Sequence, residues 1–151
     1  MGSIISKDVF EYLLDHMLDI HRKKIGIISG YSLDYDSYTN KLSFLNSYIK
    51  GIEAFLESAL VEGDSRELPF VILGSIAYVR NNHNNERAKI KITLPKEQPG
   101  IDEKDVDTFT CFSDVGYAIL LKHTGEHVQV GHSGYTIEKV AKNTKAKAVA
   151  D

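Results

Sequence analysis

Tryptophan is absent from the 151-residue chain, and cysteine occurs once, at Cys111. A single cysteine cannot form an internal disulfide, which agrees with a reducing compartment and gives the residue the expected role of a small core side chain. Also missing is any run of about 18 apolar residues, so no transmembrane helix is expected and no membrane partner. The opening Met1-Gly2-Ser3-Ile4-Ile5 lacks the charged region and sustained apolar core of a secretory signal, and a cytoplasmic protein is the expectation. An excess of positive charge is lacking too: 18 basic against 21 acidic side chains leave a formal net charge of −3. A domain that holds duplex nucleic acid by neutralising phosphates carries a clear basic excess, so independent DNA binding is disfavoured and a protein partner favoured. No glycine-rich phosphate loop of the GxxxxGKS type is present. Histidines are present at 16, 21, 83, 123, 127 and 132, but His16 and His21 are five apart, off the i, i+4 spacing of a zinc pair on a helix. No carboxylate or cysteine spacing completes a site around His123, His127 and His132, so solvated or singly hydrogen-bonded histidines are expected.

What is present falls into two regimes. Before residue 62, glycine is sparse and proline missing; after it lie Pro69, Pro95 and Pro99. Charge does not separate the two, with 6 basic and 8 acidic residues in 1–61 and 12 and 13 in 62–151. In the first regime Phe10, Leu13, Met17 and Ile20 recur at steps of three and four, and Ile27 resumes the series. They predict a helix over Lys7–Ser29. Tyr38, Leu42, Leu45, Ile49, Ile52, Leu56 and Ala59 repeat without a miss and predict a second helix over 34–61, with the seam of a coiled coil. Gly30 can end the first helix, and Ser32, Asp34 or Asp36 can cap the second. So short a connection makes the two helices antiparallel, and the second would extend on the order of 40 Å.

The second regime has the pattern of strands. Residues 70–79 form an apolar, β-branched run. Ala88, Ile90, Ile92 and Leu94 alternate with Lys89, Lys91 and Thr93, and Asn81-Asn82-His83-Asn84-Asn85 is a hairpin turn by composition. Residues 108–112 are a third strand candidate. Ser113 is placed to cap a short helix over 114–121, and 127–130 and 135–140 form a final hairpin across Gly131-His132-Ser133-Gly134. The expected architecture is α+β: a helical hairpin over 1–63, then a small antiparallel sheet with one short helix over 64–151, of which 142–151 is expected to fray.

This order of elements, with several local stretches, resembles the bacterial transcript-cleavage factors of the GreA/GreB family. Leu73-Gly74-Ser75-Ile76-Ala77-Tyr78-Val79 is similar to the family's first sheet strand. Residues 113–122, Ser-Asp-Val-Gly-Tyr-Ala-Ile-Leu-Leu-Lys, resemble its Ser-Pro-φ-Gly-x-Ala-Leu-φ-Gly-Lys segment, and 124–130 with 134–140 its terminal hairpin. The resemblance covers nearly the whole chain and rests on the ordered series, since no one motif is specific.

It implies an N-terminal coiled coil followed by an FKBP-like domain, with RNA polymerase as the partner. The coiled coil enters the enzyme's secondary channel and the globular domain grips its rim. In the cleavage factors, acidic residues at the tip help hold a second Mg²⁺ in the polymerase's active centre. Magnesium takes oxygen ligands, and a paired-metal site stabilises both attacking and leaving oxygens. Such a factor has no active site or cofactor of its own, shares Mg²⁺ with the polymerase at most, and meets nascent RNA only inside the complex.

Matched residue by residue, the family's tip Gly-Asp-Leu-x-Glu-Asn-x-Glu-Tyr aligns with Gly30-Tyr31-Ser32-Leu33-Asp34-Tyr35-Asp36-Ser37-Tyr38. Asp34 then falls on the catalytic Glu and Tyr31 replaces the catalytic Asp. A register displaced by three, fixed by Phe44-Leu45, puts Tyr31 on the Glu and matches no tip carboxylate. Asp34 and Asp36 are the candidate metal-holding carboxylates, and helix capping is their other reading. Ser113 and Asp114, where the family has Ser-Pro, are the candidates for partner binding, together with Tyr31, with a capped helix as the alternative. Arg22-Lys23-Lys24 could face RNA or a channel wall, or form a solvated helix face. FKBP-like topology does not by itself license prolyl isomerase activity. Two functions follow: a Gre-like regulator that either stimulates cleavage or occupies the channel without it, and a coiled-coil adaptor or dimerisation protein with no part in transcription.

Overall fold

A computed structural model describes residues 4–29, 35–94 and 105–142, with side chains described for all of these except 26–29 and 35–41. The chain divides into two compact units, Met1–Ser65 and Arg66–Asp151.

The first unit is a helical hairpin closed at its base by a two-stranded parallel ladder. Strand β1 (Ile4–Ile5) leads into helix α1 (Lys7–Ser29), and helix α2 (Tyr35–Ser58) leads into strand β2 (Leu60–Val61). Ile4 pairs with Leu60 and Ile5 with Val61, and Glu62 N donates to Ile5 O at 2.8 Å. Ser6 starts α1: its Oγ accepts from Val9 N at 3.1 Å and donates to Ser65 O at 2.6 Å. One hydroxyl thus caps the helix and ties the end of the unit to its beginning.

The seam buries Val9, Leu13 and Ile20 from α1 against Leu45, Tyr48, Ile49, Ile52 and Leu56 from α2. On α2 the expected series holds from Leu45 to Leu56, with Tyr48 added. On α1 the frame is rotated: Phe10 and Met17 are only half-buried, and the 4, 3, 4 series runs Val9, Leu13, His16, Ile20. His16 thus takes the seam position expected for Met17. The seam positions of Ile27 and Tyr38 lie outside the described side chains. At 23 and 24 residues, the helices are about 35 Å long.

The second unit is a five-stranded sheet in the order β5-β4-β3-β7-β6. Its strands are β3 (Ile76–Asn81), β4 (Arg87–Thr93), β5 (Val106–Thr110), β6 (His127–Val130) and β7 (Ser133–Ala141), with helix α3 (Asp114–Ile119) between β5 and β6. The fold class is α+β as expected, but the sheet is mixed: β4 and β5 run parallel and the other pairs antiparallel. The strand expected over 108–112 forms over Val106–Thr110, and a strand-like composition does not fix its direction, which depends on the connection from β4.

The apolar run from Phe70 does not continue as one strand. Gly74 has φ +85°, and the buried Ser75 hydroxyl donates to Ile72 O at 2.8 Å and accepts from Ile72 N at 3.0 Å. That turn separates the buried segment Leu68–Leu73 from β3. The asparagine-rich turn forms as its composition dictates. Asn81 Oδ1 accepts from His83 N at 2.8 Å, Asn84 Oδ1 accepts from Glu86 N at 2.9 Å, and Asn85 takes φ +61°, which asparagine tolerates. One face of the sheet carries the core, with Ala77, Val79, Ile90, Ile92, Ile137 and Val140 buried. The register of β3 on β7 slips between Tyr78 and Val79, leaving Glu138 as a bulged extra residue.

Candidate functional site

The site begins where β5 ends. Thr110 pairs with Thr93, Cys111 N donates to Thr93 O at 2.8 Å, and the Cys111 side chain is fully buried, as expected for a small core residue. The chain then turns sharply. Ser113 N and Oγ both donate to Thr110 O, at 3.1 and 2.7 Å, and Oγ accepts from Gly116 N at 3.0 Å, capping α3. The cap occupies the donor of the serine hydroxyl and one of its acceptor sites, so Ser113 positions the helix.

Gly116 permits the approach of α3 to β5. A Cβ there would lie 2.1 Å from Thr110 O, far inside contact distance, so only glycine fits. The far end is fixed as firmly, since Leu121 N donates to Val71 O at 2.7 Å and Val71 N to Lys122 O at 3.0 Å. Leu121 adopts φ +67°, a left-handed conformation costly for a leucine. In the family pattern that position is glycine.

A short, rigidly held helix therefore presents Asp114 and Tyr117 to solvent. Tyr117 is 82% exposed and the preceding Phe112 46% exposed. Asp114 lies in the first turn, where a carboxylate is favourable to the helix dipole. A shallow groove of about 280 Å³ runs beside Tyr117, lined by Ala118, Lys122, His127, Val128 and Gln129. The groove wall is braced by His127 Nδ1 against Thr136 Oγ1 at 2.8 Å, and Thr136 donates to Asn82 Oδ1 at 2.8 Å. Two aromatic rings flanking a carboxylate on a rigid helix suit a protein partner, because aromatics give large contact area at low entropic cost.

Of the sequence candidates, Ser113 and Asp114 are thus adjacent at the start of α3. Sequence reasoning singled out neither Phe112 nor Tyr117. The burial of Cys111 in a period-two stretch puts Phe112 outward, and that alternation was the available signal. Tyr31 and Asp34 lie outside the described residues, and Asp36 falls within α2 with its side chain outside the description. Among the described residues, no three His, Cys, Asp or Glu side chains converge to hold a metal ion, and no helix is long and apolar enough to cross a membrane.

No family model matches the sequence, and no curated protein matches it. Solved structures do. The GreA factor homolog 1 (Gfh1) of Thermus thermophilus is similar at 15% identity and a TM-score of 0.41, covering 93% of this chain and 99% of that one. The Gfh1 of Thermus aquaticus is similar at 14% identity and a TM-score of 0.42, with 93% and 98% covered. The prokaryotic transcription elongation factor GreA/GreB from Nitrosomonas europaea is similar at 18% identity and a TM-score of 0.44, again with 93% and 98% covered. Likeness of this degree carries no residue's role across.

Proposed function

We propose that the chain is a Gre-like transcription factor that binds RNA polymerase, inserting its helical hairpin into the secondary channel and resting its FKBP-like sheet unit on the channel rim. The observation that carries this reading is the order of parts along the chain: a hairpin of two helices about 35 Å long, then a sheet whose short helix is capped by Ser113 in the segment that resembles the family's rim-contacting one. In this reading Phe112, Asp114 and Tyr117 meet the rim. The protein has no active site of its own.

Its action is occupation of the channel without cleavage. Tyr31 stands where the family pattern has an acidic residue, so Asp34 and Asp36 are left without the partner a shared Mg²⁺ would need. The test is to add the protein to a backtracked elongation complex with Mg²⁺. Slower nucleotide addition without release of short 3′ RNA fragments is the expected result. Fragments above the no-factor control would replace occupation by cleavage stimulation, and no effect on either would sink the polymerase reading.

The adaptor reading draws on a different observation. Leu14, Leu18 and Ile25 are exposed at 37, 46 and 62%, at i, i+4 and i+11 on α1, an apolar row that a further helix could cover. A concentration-dependent dimer in solution, abolished by Leu18→Glu, together with no effect on transcription, is the outcome that favours it.

A further inference from the structure

The face of the sheet opposite the core carries a row of side chains that the polymerase reading does not use. Across β4, β3 and β7 the register places Lys89, Tyr78 and Lys139 side by side. Both ammonium groups lie over the Tyr78 ring, Lys89 Nζ at 5.6 Å and Lys139 Nζ at 5.4 Å from its centroid. Neither is ion-paired to a described residue. In the next row Arg80 pairs with Arg87, and the bulged Glu138 reaches both, Arg87 Nε at 2.9 Å and Arg80 Nε at 3.9 Å. The second contact is too long for a hydrogen bond, and Arg80 Nε is shut off from water with no hydrogen-bond partner among the described residues. A groove of about 420 Å³ opens here, lined by Tyr78, Arg87, Ala88, Lys89, Asp105 and Glu138. In a chain of net charge −3, this face is locally basic.

We propose that this open face of β4-β3-β7 binds an acidic segment of a partner protein, with carboxylates received between Lys89 and Lys139 above Tyr78. Because β4 and β7 flank β3, the two ammonium groups approach one ring from either side, and a carboxylate arriving above it meets positive charge from both while the cation–π contacts are kept. This face already accommodates a carboxylate, since Glu138 accepts from Arg87 Nε at 2.9 Å. Single-stranded nucleic acid fits less well. Base stacking needs an open aromatic face, and the lysines lie over this ring. Asp105 on the groove wall and the negative net charge oppose a dense phosphate chain more than spaced carboxylates. The surface is independent of α3 and of the polymerase reading.

The test is fluorescence anisotropy of a fluorescein-labelled oligoglutamate peptide with the full chain at low salt. Lys89→Glu with Lys139→Glu should weaken binding by about tenfold or more, and Lys89→Met with Lys139→Met, which keeps the aliphatic stems on the ring, should weaken it nearly as much. Lys7→Glu with Lys50→Glu makes the same change of net charge on exposed α1 and α2 positions and should leave affinity within about twofold. Three results would overturn the proposal: no binding by the unaltered chain, equal losses in the control, or tighter binding of oligouridine RNA that is lost in the same lysine variants.

Discussion

His16 Nε2 and Tyr48 Oη lie 2.7 Å apart inside the seam of the helical hairpin, with the two rings edge to face at 5.8 Å. A second ring, Phe44, stacks on Tyr48 at 5.9 Å. An imidazole at a seam position keeps its one polar contact only if a partner on the other helix meets it, and Tyr48 does. The pair ties the register of α1 to that of α2 more specifically than aliphatic residues could.

Burial lowers the His16 pKa from 6.5 to about 4; Asp19 opposes that shift and Lys23 adds to it. Above pH 6.5 the imidazole is neutral in both folded and unfolded chains, and the hairpin has its full stability. Between pH 6.5 and about 4 the unfolded chain takes up a proton that the folded hairpin refuses, so stability falls as pH falls. Below about 4 the folded state protonates as well, and this loss levels off. The expected loss across the window is on the order of 1–3 kcal/mol, discounted for partial exposure. Urea melts followed by helical circular dichroism from pH 7.5 to 4.5 measure it. His16→Gln removes the titration and should flatten the slope; an unchanged slope would show that other groups dominate.

Ser6 joins two ends of the first unit, and Ser6→Ala removes the cap of Val9 N and the partner of Ser65 O together. A lost N-cap costs about 1 kcal/mol, and the lost hydrogen bond to the exposed Ser65 adds at most about 0.5 kcal/mol. The same urea melts should show a loss of about 1–1.5 kcal/mol, with Ser6→Thr recovering most of it.

In the second unit the backbone around α3 gives a paired prediction. Gly116→Ala forces a methyl onto Thr110 O and should lower the melting free energy by about 2 kcal/mol or more while displacing α3. Leu121→Gly relieves a left-handed leucine and loses part of a half-buried side chain, so it should be near neutral, whereas Leu121→Val should cost about 1–2 kcal/mol. If Leu121→Val proves neutral, the left-handed conformation is not what the chain adopts.

Much of this was legible because helices and alternating strands announce their period. The limits of α1 follow from the apolar steps, whereas α2 stops at Ser58, short of the expected 61, because Leu60 and Val61 pair with β1. Two-residue strands have no period to read. The rotated α1 seam was hidden because 10, 13, 17, 20 and 9, 13, 16, 20 are equally good helical frames until α2 is present to choose. Leu68–Leu73 and β3 form one apolar run in the sequence, and only the Ser75 and Gly74 turn divides them. The Lys89, Tyr78 and Lys139 row needs strand register, which no single strand contains.

The tip decides the mode of action under the polymerase reading, and it can be tested by rebuilding it. In the ungapped register, Tyr31 takes the place of the family's catalytic Asp and Asp34 that of its Glu, one methylene short. Tyr31→Asp with Asp34→Glu restores both carboxylates, supplying the oxygen ligands a second Mg²⁺ needs beside the polymerase's own. If the chain occupies the channel in that register, the double variant should release 3′ RNA fragments from a backtracked complex, where the unaltered chain only slows nucleotide addition. Asp34→Ala with Asp36→Ala should leave the slowing in place, because blockage needs the length of the hairpin and not its charge. Under the register displaced by three, Tyr31 falls on the Glu, and Tyr31→Glu alone should recover more cleavage than the double variant. Comparing the two therefore fixes the register, and silence from both, with the slowing intact, leaves a factor whose tip cannot reach the metal.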